Sequence, residues 1–228
     1  MRRVAVKFPE FDRTMKLRIL DLADDWDDCE LCEDLVDSRT QVVHGSGHPK
    51  ADLLLIGEGP GNDEDDEGVP FIGDSGGLVN QLLIVNDMTR EDVFVDNLVP
   101  CRPLNWVDGR KVLRPPTKVE VTNCLPRIHE TIRQVDPLLI VAMGRPVLHA
   151  LTGDTSLTIK KTRGEVHIVR IPGIFKMIEY PIVVSQHPAF ILRNPSEAKY
   201  SPKWYLVRDF VFATRLLKLA RKCYRRRT

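Results

Sequence analysis

The 228-residue sequence predicts an α/β fold, a three-layer α/β/α sandwich around a short, mostly parallel central sheet. Three observations carry this expectation. Short runs of aliphatic and β-branched residues recur along the chain, helical patterns alternate with them, and polar residues stand where three of the runs end. The first run, 52–57, places Leu53, Leu54, Leu55 and Ile56 in succession, as a strand covered on both faces requires. Gly57, Gly59, Pro60 and Gly61 punctuate its end. A helical pattern at 75–86 leads to a second strand at 92–98, DVFVDNL, which contains Asn97. A longer helix at 117–134 precedes a third strand at 138–143, LLIVAM, and a short helix at 145–152. Strands at 166–171, VHIVRI, and 181–185, PIVVS, follow, the last running towards His187, and a helix at 202–224 comes last. In sheets of this kind ligands bind beyond the carboxyl ends of the strands, and Glu58, Asn97 and His187 all fall there.

No Ser/Gly-rich linker, low-complexity block or internal repeat divides the chain, which predicts one domain over residues 1–228 with a short amino-terminal extension and a basic carboxyl-terminal helix. With 43% apolar and 29% charged residues it can bury a substantial core. It lacks the run of about 18 apolar residues that a membrane span needs. The opening MRRVAVKFPEFDRTMK has no apolar core of a secretory signal, so a soluble, cytoplasmic chain is expected, with its five cysteines reduced. A net charge of +1 gives no global attraction to nucleic acid, yet the charge is uneven: residues 21–37 hold nine acids, and the chain from Arg221 onward is basic. That basic end is either a phosphate contact or a solvated helix end that suits the helix dipole.

The segment DLLLIGEGPGNDEDDEGVPFIG, residues 52–73, carries the strongest functional signal. Its glycines let backbone amides approach a ligand closely, while Glu58 and Glu64 add carboxylates to the same loop. An ordinary strand-to-helix turn with a solvated acidic face is the alternative. Cys29 and Cys32 form a CxxC pair, and Cys101 and Cys124 follow the Asn97 strand. Four thiolates suit zinc or a 4Fe-4S cluster, although the 22 residues between Cys101 and Cys124 are unlike a compact zinc knuckle. Free structural cysteines are the other reading, and Cys223 is expected to be an ordinary free thiol.

Taken in order, the CELC pair, GEGPGNDED, GVPFIG, DNLVPCRP, Cys124, PLLIVAMG and QHPAFILR make the chain resemble the family 4 uracil-DNA glycosylases, the iron-sulfur branch of the uracil-DNA glycosylase superfamily. The match runs from about Cys29 to Arg193. The resemblance implies a uracil-DNA glycosylase-like α/β/α fold, a 4Fe-4S cluster held by Cys29, Cys32, Cys101 and Cys124, and removal of uracil from single- or double-stranded DNA by a monomer. It implies Phe71 as the platform under a flipped uracil, and Asn97 as the reader of the base edge at O4 and N3. His187 would be the donor to the O2 that gains charge, with backbone contacts from Gly57 and Gly59. Glu58 and Glu64 are the acids expected near the sugar, with either able to dominate. Arg193 would approach phosphate, and Phe190 or Leu192 would either wedge the duplex or pack in the core.

Two departures bear on mechanism. The long stretch RPLNWVDGRKVLRPPTKVEVTN, between the third and fourth cysteines, is similar to the extended loop of a related branch that crosslinks itself to uracil-containing DNA through a histidine. Counting back from Cys124 puts Leu113 at that place, so turnover through water is expected, with Arg110, Lys111 and Arg114 as phosphate contacts at most. Ala189 replaces a serine that some relatives carry after His-Pro, which removes one hydroxyl contact. No lysine is placed by resemblance to form a Schiff base, so a monofunctional enzyme is expected. A non-catalytic uracil-DNA or single-strand binding accessory protein and a purely redox or structural iron-sulfur protein are the alternatives; Glu58 together with His187 argues against the first.

Overall fold

The computed structural model describes residues 26–225. The amino-terminal extension, with the first acids of the 21–37 cluster, and the basic residues 226–228 lie outside the described residues. In chain order the strands are β1 (Ser46–Gly47), β2 (Leu53–Gly57), β3 (Val93–Asn97), β4 (Leu104–Val107), β5 (Arg110–Leu113), β6 (Leu139–Met143), β7 (His167–Pro172) and β8 (Met177–Ser185). A six-stranded sheet takes the order β1-β3-β2-β6-β8-β7, and β4 and β5 pair separately as a hairpin. Strands β3, β2, β6 and β8 run parallel, while β1 and β7 are antiparallel edges. The mostly parallel α/β/α sandwich expected from the sequence is therefore present.

Side chains in a strand alternate between faces, and the central strands are apolar on both, which builds two cores. Leu54, Ile56, Ile140, Ala142, Ile182 and Val184 face a layer holding Ile128 and Ile132 of helix Lys118–Val135 and Val147, Leu148 and Leu151 of helix Arg145–Thr152. Leu53, Leu55, Val95, Val141 and Val183 face the opposite layer, with Val79, Leu82 and Leu83 of helix Asp74–Ile84 and Leu206, Phe210 and Leu217 of helix Pro202–Arg225. Thr117 caps helix Lys118–Val135 reciprocally with Glu120: the Glu120 N–H donates to Thr117 Oγ1 at 3.3 Å, and the Thr117 N–H to Glu120 Oε2 at 2.6 Å.

Three local features differ from the sequence expectation. The stretch after Cys101 is not an open loop throughout, because Leu104, Asn105, Trp106 and Val107 pair with Leu113, Val112, Lys111 and Arg110 across a turn whose Asp108 and Gly109 have φ of 49° and 73°. The acidic residues after Gly61 form a short helix, Asn62–Glu67. Strand β8 begins at Met177, four residues before the expected start, because its first half pairs with β7 in an antiparallel hairpin.

Candidate active site

Four chain segments converge at the carboxyl ends of the parallel strands. Gly57 and Asn97 are cross-strand partners at the ends of β2 and β3, so the chain leaves the sheet beside Asn97 with Glu58 as its next residue. Gly57 has no room for a side chain: a Cβ there would lie 2.4 Å from Phe71 Cζ and 2.6 Å from Asn97 Oδ1. Phe71 has φ 56°, an unusual value for an aromatic residue, and packs over Gly57 with its ring centroid 6.1 Å from that of His187. Gly59 is half-buried, with Pro103 and the Val99 carbonyl as its near neighbours.

The polar atoms of this cluster are poised rather than paired. Asn97 is 2% exposed and its Oδ1 has no hydrogen-bond partner; His187 Nε2 is likewise buried and unpartnered. The Ala189 N–H donates to His187 Nδ1 at 3.2 Å. A neutral ring that accepts at Nδ1 carries its proton on Nε2, so the free atom is a donor. Burial, with a smaller contribution from Arg193, lowers the His187 pKa to about 4, and the ring is neutral at physiological pH. Leaving a buried polar group unpaired costs about 1–3 kcal/mol, so two such atoms beside one aromatic ring describe a site built for a polar, planar ligand.

Glu58 adjoins this cluster. Burial raises its pKa above the ordinary carboxyl value, opposed by the charges of Arg193 and Arg145. Its carboxylate lies against Gly144, where φ is 102° and a Cβ would come within 2.3 Å of Glu58 Oε1, so glycine is required there twice over. Glu64, expected as a second acid near the sugar, is occupied differently. The N–H groups of Gly61 and Gly73 donate to its two oxygens, each at 3.0 Å, and hold both ends of the loop. Asp65, fully buried, accepts from the Thr40 N–H and pairs with Arg102 at 3.2 Å, which ties the same loop to the segment after Cys32.

Behind Asn97 lies a buried ionic clamp that the sequence reading missed. Arg127 donates from Nη1 to Asp96 Oδ2 at 2.9 Å and from Nη2 to the Asn97 carbonyl, and Thr131 Oγ1 donates to Asp96 at 3.0 Å. Asp96 in turn accepts from the Asn97 N–H at 2.7 Å. The signal was present: an aspartate inside the apolar run VFVDN needs a buried cation, and Arg127 falls on the helix face shared by Cys124, Ile128 and Thr131.

Cys29, Cys32, Cys101 and Cys124 line one cavity with Leu35, Arg39, Pro100 and Asn123. Arg39 Nη1 donates to Cys101 Sγ and Asn123 Nδ2 to Cys32 Sγ, both at 3.3 Å. Burial pushes the Cys124 thiol up to about 12 and raises that of Cys101. Among the described residues no three His, Cys, Asp or Glu side chains are grouped to hold a single metal ion. Cys223 is exposed on the last helix, apart from this cavity.

The basic candidates separate. Arg193 ends the helix Pro188–Arg193 that starts beside His187, and its charge reaches both Glu58 and His187. Arg110 and Lys111 are exposed on the hairpin, with Lys111 Nζ 5.5 Å from the centre of the Trp106 ring. Arg114 is not free for phosphate, since both its terminal nitrogens donate to Glu120, at 2.8 and 2.5 Å. Phe190 and Leu192 are partly exposed, at 38% and 45%, while Ile191 between them is in the core. Leu113 pairs with Leu104 at the base of the hairpin.

The mostly parallel sheet agrees with the family comparison, in which the Uracil DNA glycosylase superfamily matches residues 44–211. The chain belongs to that superfamily. Within it, the type-4 uracil-DNA glycosylase of Saccharolobus solfataricus is 36% identical over 178 residues, 76% of this chain and 77% of the relative. Those of Sulfurisphaera tokodaii and Archaeoglobus fulgidus are each 34% identical, over 175 and 170 residues, covering 75% and 73% of this chain and 74% and 79% of the relatives.

Proposed function

We propose that this protein is a monofunctional uracil-DNA glycosylase, which takes uracil out of the DNA stack and hydrolyses the bond between its N1 and the sugar C1′ to leave an abasic site for base excision repair. The observation that carries this function is the pair of buried, unpartnered atoms, Asn97 Oδ1 and His187 Nε2, beside the Phe71 ring. Uracil offers one donor, N3–H, and two acceptors, O4 and O2. Asn97 accepts from N3–H and donates from Nδ2 to O4, whereas cytosine presents the reverse pattern. His187 donates from Nε2 to O2, and Gly57 and Gly59 offer backbone contacts.

As the C1′–N1 bond breaks, its electron pair leaves with the base and spreads to O2, and the sugar becomes a cation. The Nε2–H of His187 strengthens its bond to O2 as that charge develops, which is differential stabilisation of the transition state. Glu58 faces the cation. It accepts a proton from a water whose oxygen bonds to C1′, and the burial that raises its pKa makes it a stronger base than a solvated carboxylate. Glu64 supports this geometry by clamping the loop. Arg193 contacts phosphate near the flipped nucleotide, and Arg110 and Lys111 do so further out.

Cys29, Cys32, Cys101 and Cys124 suit a 4Fe-4S cluster, because four sulfurs border one cavity and two of them already accept N–H donors of the kind that tune such clusters. The cluster would tie the segment before helix Glu33–Ser38 to helix Lys118–Val135. We assign the protein a single domain acting as a monomer.

Incubation with a uracil-containing oligonucleotide, followed by alkali, should cleave the strand at uracil and nowhere else. Without alkali it should give an intact abasic strand and no denaturant-resistant adduct, since Leu113 has no nucleophile. Retention of the base on a folded, iron- and sulfide-containing preparation would exclude the activity.

A further inference from the structure

We propose that Tyr200 and Trp204 form a stacking ledge for unpaired DNA bases that flank the target uracil. The proposal rests on the uracil excision proposed above and extends it to the form of DNA preferred. Tyr200 is 61% exposed and has φ 67°, a left-handed conformation that a bulky side chain adopts only where its surroundings enforce it. Here the enforcement is a turn pinned by serines. Ser201 Oγ donates to the Ser196 carbonyl at 3.0 Å, the Ala198 N–H donates to Ser196 Oγ at 3.3 Å, and the Trp204 N–H donates to Ser201 Oγ at 3.2 Å. The turn delivers the Tyr200 ring edge-on to Trp204, with centroids 5.0 Å apart and planes at 63°.

The partner's chemistry follows from what surrounds these rings. Lys199 Nζ lies 4.9 Å from the Tyr200 centroid and Arg208 Cζ 4.6 Å from that of Trp204. Nearby Arg163 and Lys203 are taken by Asp209 and Glu197. Lys199, Arg208 and Arg193 have no such ion pair among the described residues, and they are left to meet phosphates. Aromatic faces interleaved with unpaired cations are the pattern that holds single strands, where each base has a free π-face and each phosphate a charge.

Position favours the same occupant. The ledge begins seven residues after Arg193, and helix Pro188–Arg193 packs against helix Pro202–Arg225. Phe71 of the base pocket, Ile191 and Leu206 belong to one core layer, so ledge and pocket share a rigid floor. From His187 the chain to Tyr200 spans at most about 9 Å of helix plus roughly 25 Å of extended chain, so at about 3.4 Å per nucleotide the ledge lies no more than about ten nucleotides from the flipped base.

Single-turnover excision measured against DNA concentration tests this on the intact protein. Tyr200→Ala should raise the half-saturating concentration of a single-stranded uracil oligonucleotide by about tenfold, leave the maximal rate unchanged, and affect a fully paired duplex much less. Tyr200→Phe, which keeps the ring, should match the wild type. Trimming the strand on the side that meets the ledge should abolish the difference between wild type and Tyr200→Ala. An unchanged half-saturating concentration on single strands, or an equal rise on single strands and duplex, overturns the ledge. Equilibrium binding of a uracil-free single strand reads the ledge independently: Tyr200→Ala should weaken it even if no uracil is released, so a failure of the activity and a failure of the ledge are distinguishable.

Discussion

His187 is more useful neutral than charged. A solvated histidine would be partly protonated near its ordinary pKa, whereas burial keeps this one neutral, and in the proposed mechanism its Nε2–H then responds only to charge developing on the base. His187→Ala should lower the single-turnover rate by about two to three orders of magnitude while changing DNA affinity little; equal losses in both would make it a structural residue. The same burial affects stability. With the folded pKa near 4 and the unfolded value about 6.5, the unfolded chain binds the proton first on acidification. The native state is therefore fully favoured above about pH 6.5 and loses up to roughly 3 kcal/mol as the pH falls to about 4. Denaturant titrations across that window should show a shallower fall in His187→Gln. Glu58 titration acts on rate: the wild type should lose activity as the pH drops through a pKa above the ordinary carboxyl value, and Glu58→Gln should be slow with that acidic limb absent from its pH–rate profile. The placement of Asn97, His187 and Glu58 at strand ends could be read in the sequence because each follows or ends an apolar run. The clamp that Glu64 makes on its loop could not be read there, because a carboxylate that caps a loop and one that serves a ligand look alike until its two amide donors are seen.

Helix Lys118–Val135 links two functions along one face. Cys124 borders the sulfur-lined cavity, and one turn later Arg127 grips Asp96 and the Asn97 carbonyl. Removing that cation strands a buried carboxylate, so Arg127→Met should cost about 3–5 kcal/mol, seen as a fall in Tm. Adding Asp96→Asn should restore part of the loss; no restoration would place the damage elsewhere. The helix itself was legible from its helical pattern at 117–134. The hairpin β4–β5 was not, because Asp108-Gly109 is flanked by strands of only four residues, LNWV and RKVL, that are largely exposed and lack the strict alternation that marks a half-buried sheet. Short helices such as Asn62–Glu67 were hidden for a related reason: one turn is too brief for a period to emerge.

At the level of the molecule, the apolar content of four parallel strands announced the sandwich, and the polar strand ends announced the cluster at the carboxyl edge of the sheet. What sequence alone could not supply was lateral order. Asn97 on β3 and His187 after β8 are separated by β2 and β6, about 14 Å at the usual strand spacing, and only the strand order shows that Phe71 fills the interval between them. Each group assigned to recognition in the proposed function hangs from, or packs on, that one hydrogen-bonded lattice, so their arrangement exists before DNA arrives and need not distinguish a base still joined to its sugar from one already released. Free uracil should accordingly behave as a product inhibitor: adding it should slow repeated turnover in competition with DNA, cytosine at the same concentration should not, and base release should limit the enzyme whenever abasic strands depart faster than the pocket empties.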